Sequence, residues 1–164
     1  MMNLAGHYQN AYVTHDLDRA MALIGERYGT RDWIRYDPEM TIRTPDGKRQ
    51  SSVRVALAWY GGLQIELIEP VAGHNAHYEC LLPADRSDAV PRFHHMAMRR
   101  DDEAAMRAET ELLGLPLAFE GDVADAMVFI YLDARQTMGH FLEYVWANEA
   151  GWQMNGWPQD RPVI

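Results

Sequence analysis

The same succession of elements can be read twice along this chain, and that duplication restricts the fold more than any other feature of the sequence. In the first copy, "HYQNAYV" (7 to 13) reads as a strand, and "THDLDRAMALIGERYG" follows as an amphipathic helix. Leu17, Ala20, Met21, Leu23 and Ile24 recur there at helical spacing, Asp16 offers an N-terminal cap, and Gly29 sits just past the end. Three strand-like runs come next: "DWIRYDPEMTIRT", interrupted by Pro38, "SSVRVALAWY" and "LQIELIEP", separated by "PDGK" and by Gly61-Gly62. The second copy repeats the order. "RFHHMAMRR" is its first strand, "DDEAAMRAETELLG" its helix, capped by Asp101 and closed by Gly114, and "LPLAFEG", "DAMVFIYLD" and "GHFLEYVW" its last three strands, with "ARQT" as a turn.

Residues 7–70 and 92–147 therefore form two modules of one domain spanning 1–164. The stretch 71–91, rich in Ala, Pro, Asp and Gly, reads as a linker in which "AHYECLL" can hold a short helix. Two modules of this kind can join edge to edge, helices outside and a shared concave surface inside. The expected fold is α+β: two paired βαβββ modules forming a curved mixed sheet around a central cleft, which is where a ligand belongs. The tail 148–164 is turn-rich, but Trp152 and Trp157 predict that it docks on an apolar surface.

Composition narrows the partners. A formal charge of −9, from 15 basic and 24 acidic residues, opposes a phosphate backbone, and the nearest thing to a basic cluster, Arg99-Arg100, runs at once into Asp101-Asp102. Nucleic acid is not an expected partner. No apolar run approaches the roughly 20 residues of a membrane span, so no membrane association is expected and the cytoplasm is the default location. The single cysteine, Cys80, can form no intrachain disulfide and reads as a small buried hydrophobe.

Equivalent positions of the two modules can be compared through their first and last strands. Gln9 lies seven residues ahead of Asp16, and His95 six ahead of Asp101, an offset that a one-residue difference in the turn absorbs. Glu66 and Glu143 occupy the middles of the last strands. Side chains alternate faces along a strand, so His94 and His95 are expected to point opposite ways, with only one entering the cleft. Glu143 shares a face with Phe141 and Val145, and a carboxylate among apolar neighbours is costly to bury unless a cation or partner compensates it. Taken singly, a mid-strand Glu is usually solvated and a core His usually only hydrogen-bonded. Their paired positions single out Gln9, Glu66, His95 and Glu143. Two carboxylates, an imidazole and an amide oxygen make a mixed N/O set suited to a divalent ion such as Zn, Ni, Co or Mn.

The segments "QNAYVTHDLDRAM", "LQIELIEP", "FHHMAMRRDD" and "MGHFLEYV" together resemble the vicinal oxygen chelate superfamily of glyoxalases, methylmalonyl-CoA epimerase, bleomycin resistance proteins and ring-cleaving dioxygenases. The resemblance implies a pair of βαβββ modules, a homodimer, and metal ligands at Gln9, Glu66, His95 and Glu143. His95 is then the ligand, and not His94. One histidine in the set disfavours the two-His iron site of the dioxygenases. Val13 and Pro70 stand where glutathione-dependent members carry Arg and Asn, which argues against glutathione. "IELIEP" and "FHHMAM" are similar to the epimerase branch, although few basic residues are available for the phosphates of a CoA thioester.

The chemistry implied is proton abstraction next to a carbonyl, with a metal-stabilised enolate, by an isomerase, epimerase or lyase; Glu143 is the preferred base and Glu66 the second. Tyr12, Trp33, Tyr36, Trp59, Phe129, Tyr131 and Trp146 could line a pocket for a small, fairly hydrophobic substrate, and His140 reads as a surface residue near a turn. A binding protein of the bleomycin-resistance kind, holding a drug-like molecule in the same cleft without turnover, is the alternative.

Overall fold

A computed structural model of the chain describes residues 4–158. The first module contains β1 (His7–Val13), α1 (Leu17–Tyr28), β2 (Ile34–Tyr36), β3 (Glu39–Thr44), β4 (Gly47–Tyr60) and β5 (Leu63–Gly73). The second contains β6 (Arg92–Arg100), α3 (Glu103–Leu113), β7 (Leu117–Val123), β8 (Met127–Asp133), α4 (Arg135–Met138) and β9 (Phe141–Ala147). Between them lies α2 (Ala76–Glu79), and α5 (Glu149–Met154) follows the last strand. The Asp37-Pro38 break splits one expected strand into β2 and β3, because Pro38 cannot donate to a ladder.

Within the modules the strands lie in matching order, β1-β5-β4-β3 and β6-β9-β8-β7. In each, the first and last strands are parallel and the remaining neighbours antiparallel. The modules meet along the antiparallel pair β1–β6 and again where Arg43 of β3 pairs with Glu120 of β7. Since β4 also pairs β5, eight strands close into a barrel-like curved sheet, with β2 added beside the second half of β4. The interior is filled by Val13, Ile42, Val53, Phe119, Phe129 and Val145, among others. Outside, Leu17 and Ala20 of α1 cover Ala56 and Leu67, and Met106 of α3 packs with Ile130, Leu142 and Tyr144. Both helices are thus external, as the repeat predicts.

The helix caps correct one reading. Asp16 accepts a hydrogen bond from the Arg19 amide at 3.0 Å, as expected, but the α3 cap is Asp102, which accepts from Ala105 N at 2.7 Å. Asp101 instead forms an exposed pair with Arg99 at 3.1 Å. Gly29 and Gly114 take the left-handed conformation that ends each helix (φ 76° and 63°).

The supposed linker is more ordered than composition implied. β5 extends to Gly73, and α2 directs His77 and Tyr78 inward. The His77 ring lies 3.9 Å from that of Phe119, and its Nε2 has no hydrogen-bond partner. Burial, with some help from nearby His74, lowers its pKa to about 3. Cys80 is exposed rather than buried, its thiol donating to the His77 carbonyl at 3.2 Å. The tail docks as expected: Trp152 and Trp157 pack on Tyr8, and the Arg99 guanidinium lies 4.6 and 4.4 Å from their ring centres. Residues 159–164 of that tail lie outside the described part.

Two measurements check this account. Removing the cap by Asp102→Ala should cost about 1 kcal/mol in chemical denaturation, whereas Asp101→Ala should cost little. For His77, the unfolded chain takes up a proton below about pH 6.5 that the folded protein refuses until about pH 3. Unfolded chains then bind more protons, so stability falls as pH falls across that window, and His77→Phe should flatten the decline.

Candidate functional site

The parallel strand pairs set the site out symmetrically. In the first module Ala11 of β1 lies opposite Glu66 of β5, and in the second Ala97 of β6 lies opposite Glu143 of β9. Gln9 and His95 each stand two residues before those alanines, on the same strand face. With the α3 cap at Asp102, both also lie seven residues ahead of their caps, so the offset of one in the sequence count disappears. The seam β1–β6 brings the two halves together, pairing Gln9 with Ala97 and Ala11 with His95.

All four side chains converge. His95 Nε2 lies 3.1 Å from Glu143 Oε2, 3.5 Å from Glu66 Oε2 and 3.3 Å from Gln9 Oε1. The Tyr131 hydroxyl is 3.4 Å from the same nitrogen. Gln9 is held with its oxygen toward His95, because its Nε2 donates to Gln64 Oε1 at 2.7 Å and Gln64 in turn donates to the Asn155 carbonyl at 2.8 Å. His95 is fully buried, and Gln9 and Glu143 nearly so.

The electrostatics are unbalanced. Glu66 Oε2 is buried without a hydrogen-bond partner. Its carboxyl is pushed well above the usual range, first by burial and then by the charge of Glu143. Burial likewise raises the phenols of Tyr8, Tyr78 and Tyr131, with Glu66 and Glu143 adding to the effect, so these hydroxyls stay protonated and can donate.

This donor set fits a divalent cation. Ligands each about 2.1 Å from one ion lie roughly 3.0–3.4 Å from one another, close to the separations around His95 Nε2. A cation would also compensate the orphaned oxygen of Glu66. Among the described residues no three His, Cys, Asp or Glu side chains, these included, stand in a preformed metal-site arrangement; the match of this set is in donor chemistry and in the distances from His95 Nε2.

Gln9, Glu66 and Glu143 border a cleft of about 410 Å³ inside the curved sheet, with His95 buried behind them, and its walls include Met40, Val53, Val55, Leu57, Met127 and Val145. Of the expected pocket aromatics, Tyr36, Phe129 and Tyr131 line it. Trp59 packs behind the wall against Tyr8 and Trp157, its indole N–H donating to the Asn155 carbonyl at 3.1 Å. Tyr12 and Trp33 instead pack in the outer layer under α1, and Trp146 in the layer under α3. For Trp146 strand alternation already carried the answer, since it lies an odd number of residues from Glu143. Tyr8, Tyr78, Gln64 and Asn155 belong to the site and were not anticipated. Tyr8 and Gln9 both face the cleft because the β1–β6 register shifts between His7 and Gln9.

A second register shift overturns the expectation for His94. Ala11 pairs with His95 and Tyr12 with Phe93, so His94 is an extra, bulged residue. Its ring stacks on Phe141, on the face that also carries Glu143, and its Nδ1 lies 2.8 Å from His95 Nδ1. Both histidines thus point to the same side. His140, expected at the surface, is buried against Phe93.

No curated protein matches the chain. Among solved structures, a variant of the methylmalonyl-CoA epimerase of Streptomyces coelicolor in complex with 2-nitronate-propionyl-CoA superposes with a TM-score of 0.61 at 15% identity, over 90% of this chain and 97% of that one. The methylmalonyl-CoA epimerase of Mycobacterium tuberculosis gives 0.55 at 16% identity, over 92% and 95%. At such identities the likeness is one of fold. A family model described as the Glyoxalase/Bleomycin resistance protein/Dioxygenase superfamily matches residues 8–131, from β1 through most of β8. With the duplicated modules and closed sheet, that match makes the chain a member of this superfamily, the vicinal oxygen chelate proteins.

Proposed function

We propose that the protein is a metal-dependent isomerase, epimerase or lyase that removes a proton from carbon next to a carbonyl group of a small, neutral and fairly hydrophobic molecule. The observation that carries this reading is the convergence of Gln9, Glu66 and Glu143 on His95 Nε2 at symmetric positions in an otherwise apolar cleft. Those four residues would hold the ion. When bound, a divalent ion supplies Lewis acidity that stabilises negative charge developing on a carbonyl oxygen.

The rest of the chemistry belongs to the chain. Glu143 is assigned the proton-abstracting role. Glu66, whose carboxyl burial and Glu143 hold protonated more readily, is the second candidate for proton transfer. The Tyr131 hydroxyl, held neutral by burial, can donate a hydrogen bond beside His95. The apolar walls exclude water, which strengthens each of these interactions.

Charge argues about the substrate. Among the described residues, the only charged ones lining the cleft are Glu66 and Glu143. A divalent ion held by Glu66 and Glu143 would leave the set formally neutral, and a further free carboxylate or phosphate would find no Lys or Arg in the lining. A neutral carbonyl compound therefore suits this cleft better than a thioester bearing a carboxylate, although solved structures of similar fold include methylmalonyl-CoA epimerases.

The test combines metal analysis with isotope exchange. Protein supplied with Zn²⁺, Ni²⁺, Co²⁺ or Mn²⁺ should retain one ion per chain and catalyse deuterium uptake at the carbon beside the carbonyl of small apolar ketones in D₂O. Glu143→Gln should slow exchange by about 10²–10⁴-fold, and His95→Ala should abolish ion retention. Phe129→Ala should weaken binding of an apolar probe, whereas Tyr12→Phe and Trp146→Phe should leave it unchanged. If no ion is retained and apolar ligands bind equally to wild type, His95→Ala and Glu143→Ala, the enzyme reading fails and the non-catalytic binding protein replaces it.

A further inference from the structure

We propose that His94 is a positioning residue: it fixes a proton of His95 on Nδ1 and thereby makes Nε2 the nitrogen available to a cation held by Gln9, Glu66 and Glu143. The inference rests on the metal reading above only for what Nε2 holds; the placement of the proton stands on hydrogen bonds that are independent of it.

The assignment follows from the network, taken one atom at a time. His94 Nε2 lies 3.0 Å from the carbonyl oxygen of His77. A carbonyl only accepts, so this nitrogen carries a proton. The other nitrogen, Nδ1, faces His95 Nδ1 at 2.8 Å. Only one proton can lie between them, and without it two lone pairs would oppose each other in a dry interior.

Which ring owns that proton is settled by surroundings. His94 is fully buried, its ring stacked at 4.7 Å and 18° on Phe141 and tilted at 4.9 Å against Tyr78. It faces a carbonyl and another imidazole, with no carboxylate among its hydrogen-bond partners. One proton of His94 already sits on Nε2, and no anionic hydrogen-bond partner is placed to balance a second. His94 Nδ1 is therefore the acceptor and His95 Nδ1 the donor.

The consequence is felt on the far side of His95. With Nδ1 committed to His94, Nε2 is the nitrogen that faces the oxygens 3.1, 3.3 and 3.5 Å away, and a cation held among them would meet its lone pair. The tautomer a metal ligand needs is thus imposed from behind, by a residue that touches neither cleft nor ion. The β-bulge makes this possible. In a regular strand His94 and His95 would project to opposite faces, and their Nδ1 atoms could not meet.

Long-range ¹H–¹⁵N spectra of the histidine rings test the assignment in the metal-free protein. They should show His94 Nε2 and His95 Nδ1 protonated and His94 Nδ1 unprotonated, and a proton on His94 Nδ1 would overturn the proposal. Competition with a chromophoric chelator should find Zn²⁺ bound about 10- to 100-fold more weakly by His94→Phe. His94→Asn, which can offer an amide oxygen where Nδ1 stood, should recover most of that loss. A folded His94→Phe that binds Zn²⁺ as tightly as wild type would also overturn the proposal. Should wild type bind no Zn²⁺ while the ring protons sit as assigned, the metal reading fails and the His94 assignment stands.

Discussion

The antiparallel seam between β1 and β6 is the contact on which the rest of the site depends. Each module alone supplies one acid and one neutral donor, Glu66 with Gln9 and Glu143 with His95, fixed relative to each other by a parallel strand pair. Neither half closes a cluster. The seam places the two half-sets face to face, and the curvature of the closed sheet turns them toward one point. A slip of a single residue in that register would send one half-set to the opposite face from the other.

The cluster sits in tension with its surroundings, and that tension is resolved layer by layer. Burying two carboxylates near each other is unfavourable, and Glu66 is left with an unpartnered oxygen. The neutral groups around it are held firmly instead. Gln64 and the Asn155 carbonyl orient Gln9, His94 and the His77 carbonyl orient His95, and the buried phenols remain donors. Much of this outer support comes from segments outside the repeat: α2 contributes His77 and Tyr78, and the turn after α5 contributes Asn155. The interludes between and after the modules complete the site.

Several features were legible because they depend on periodicity and on local chemistry. The two strand–helix–strand units, the glycine helix ends and the four donor positions follow from alternation, helical spacing and turn residues. The misreadings have equally specific causes. Asp101 and Asp102 are adjacent potential caps, and only the backbone decides which side chain reaches the amide three residues on. Tyr12 on β1 and Trp33 just before β2 are large aromatics beside a sheet covered on both sides, so composition cannot say which layer receives them, whereas Trp146 was legible from its alternation with Glu143. His94 was misplaced because alternation assumes a regular ladder, and a bulge is a property of two strands paired together.

The sequence by itself determined that the chain is duplicated, that each half carries its apolar stripe on one helix, and that an acid and a neutral donor occur at matching places in both halves. These are consequences of residue order along a single strand or helix. Tertiary structure alone decided that β1 meets β6, that consecutive residues can share a face there, and that α2 and the final turn supply second partners to Gln9 and His95. Those outcomes depend on hydrogen bonds between residues as far apart as Gln64 and Asn155, and separations of that kind leave no local pattern in the chain.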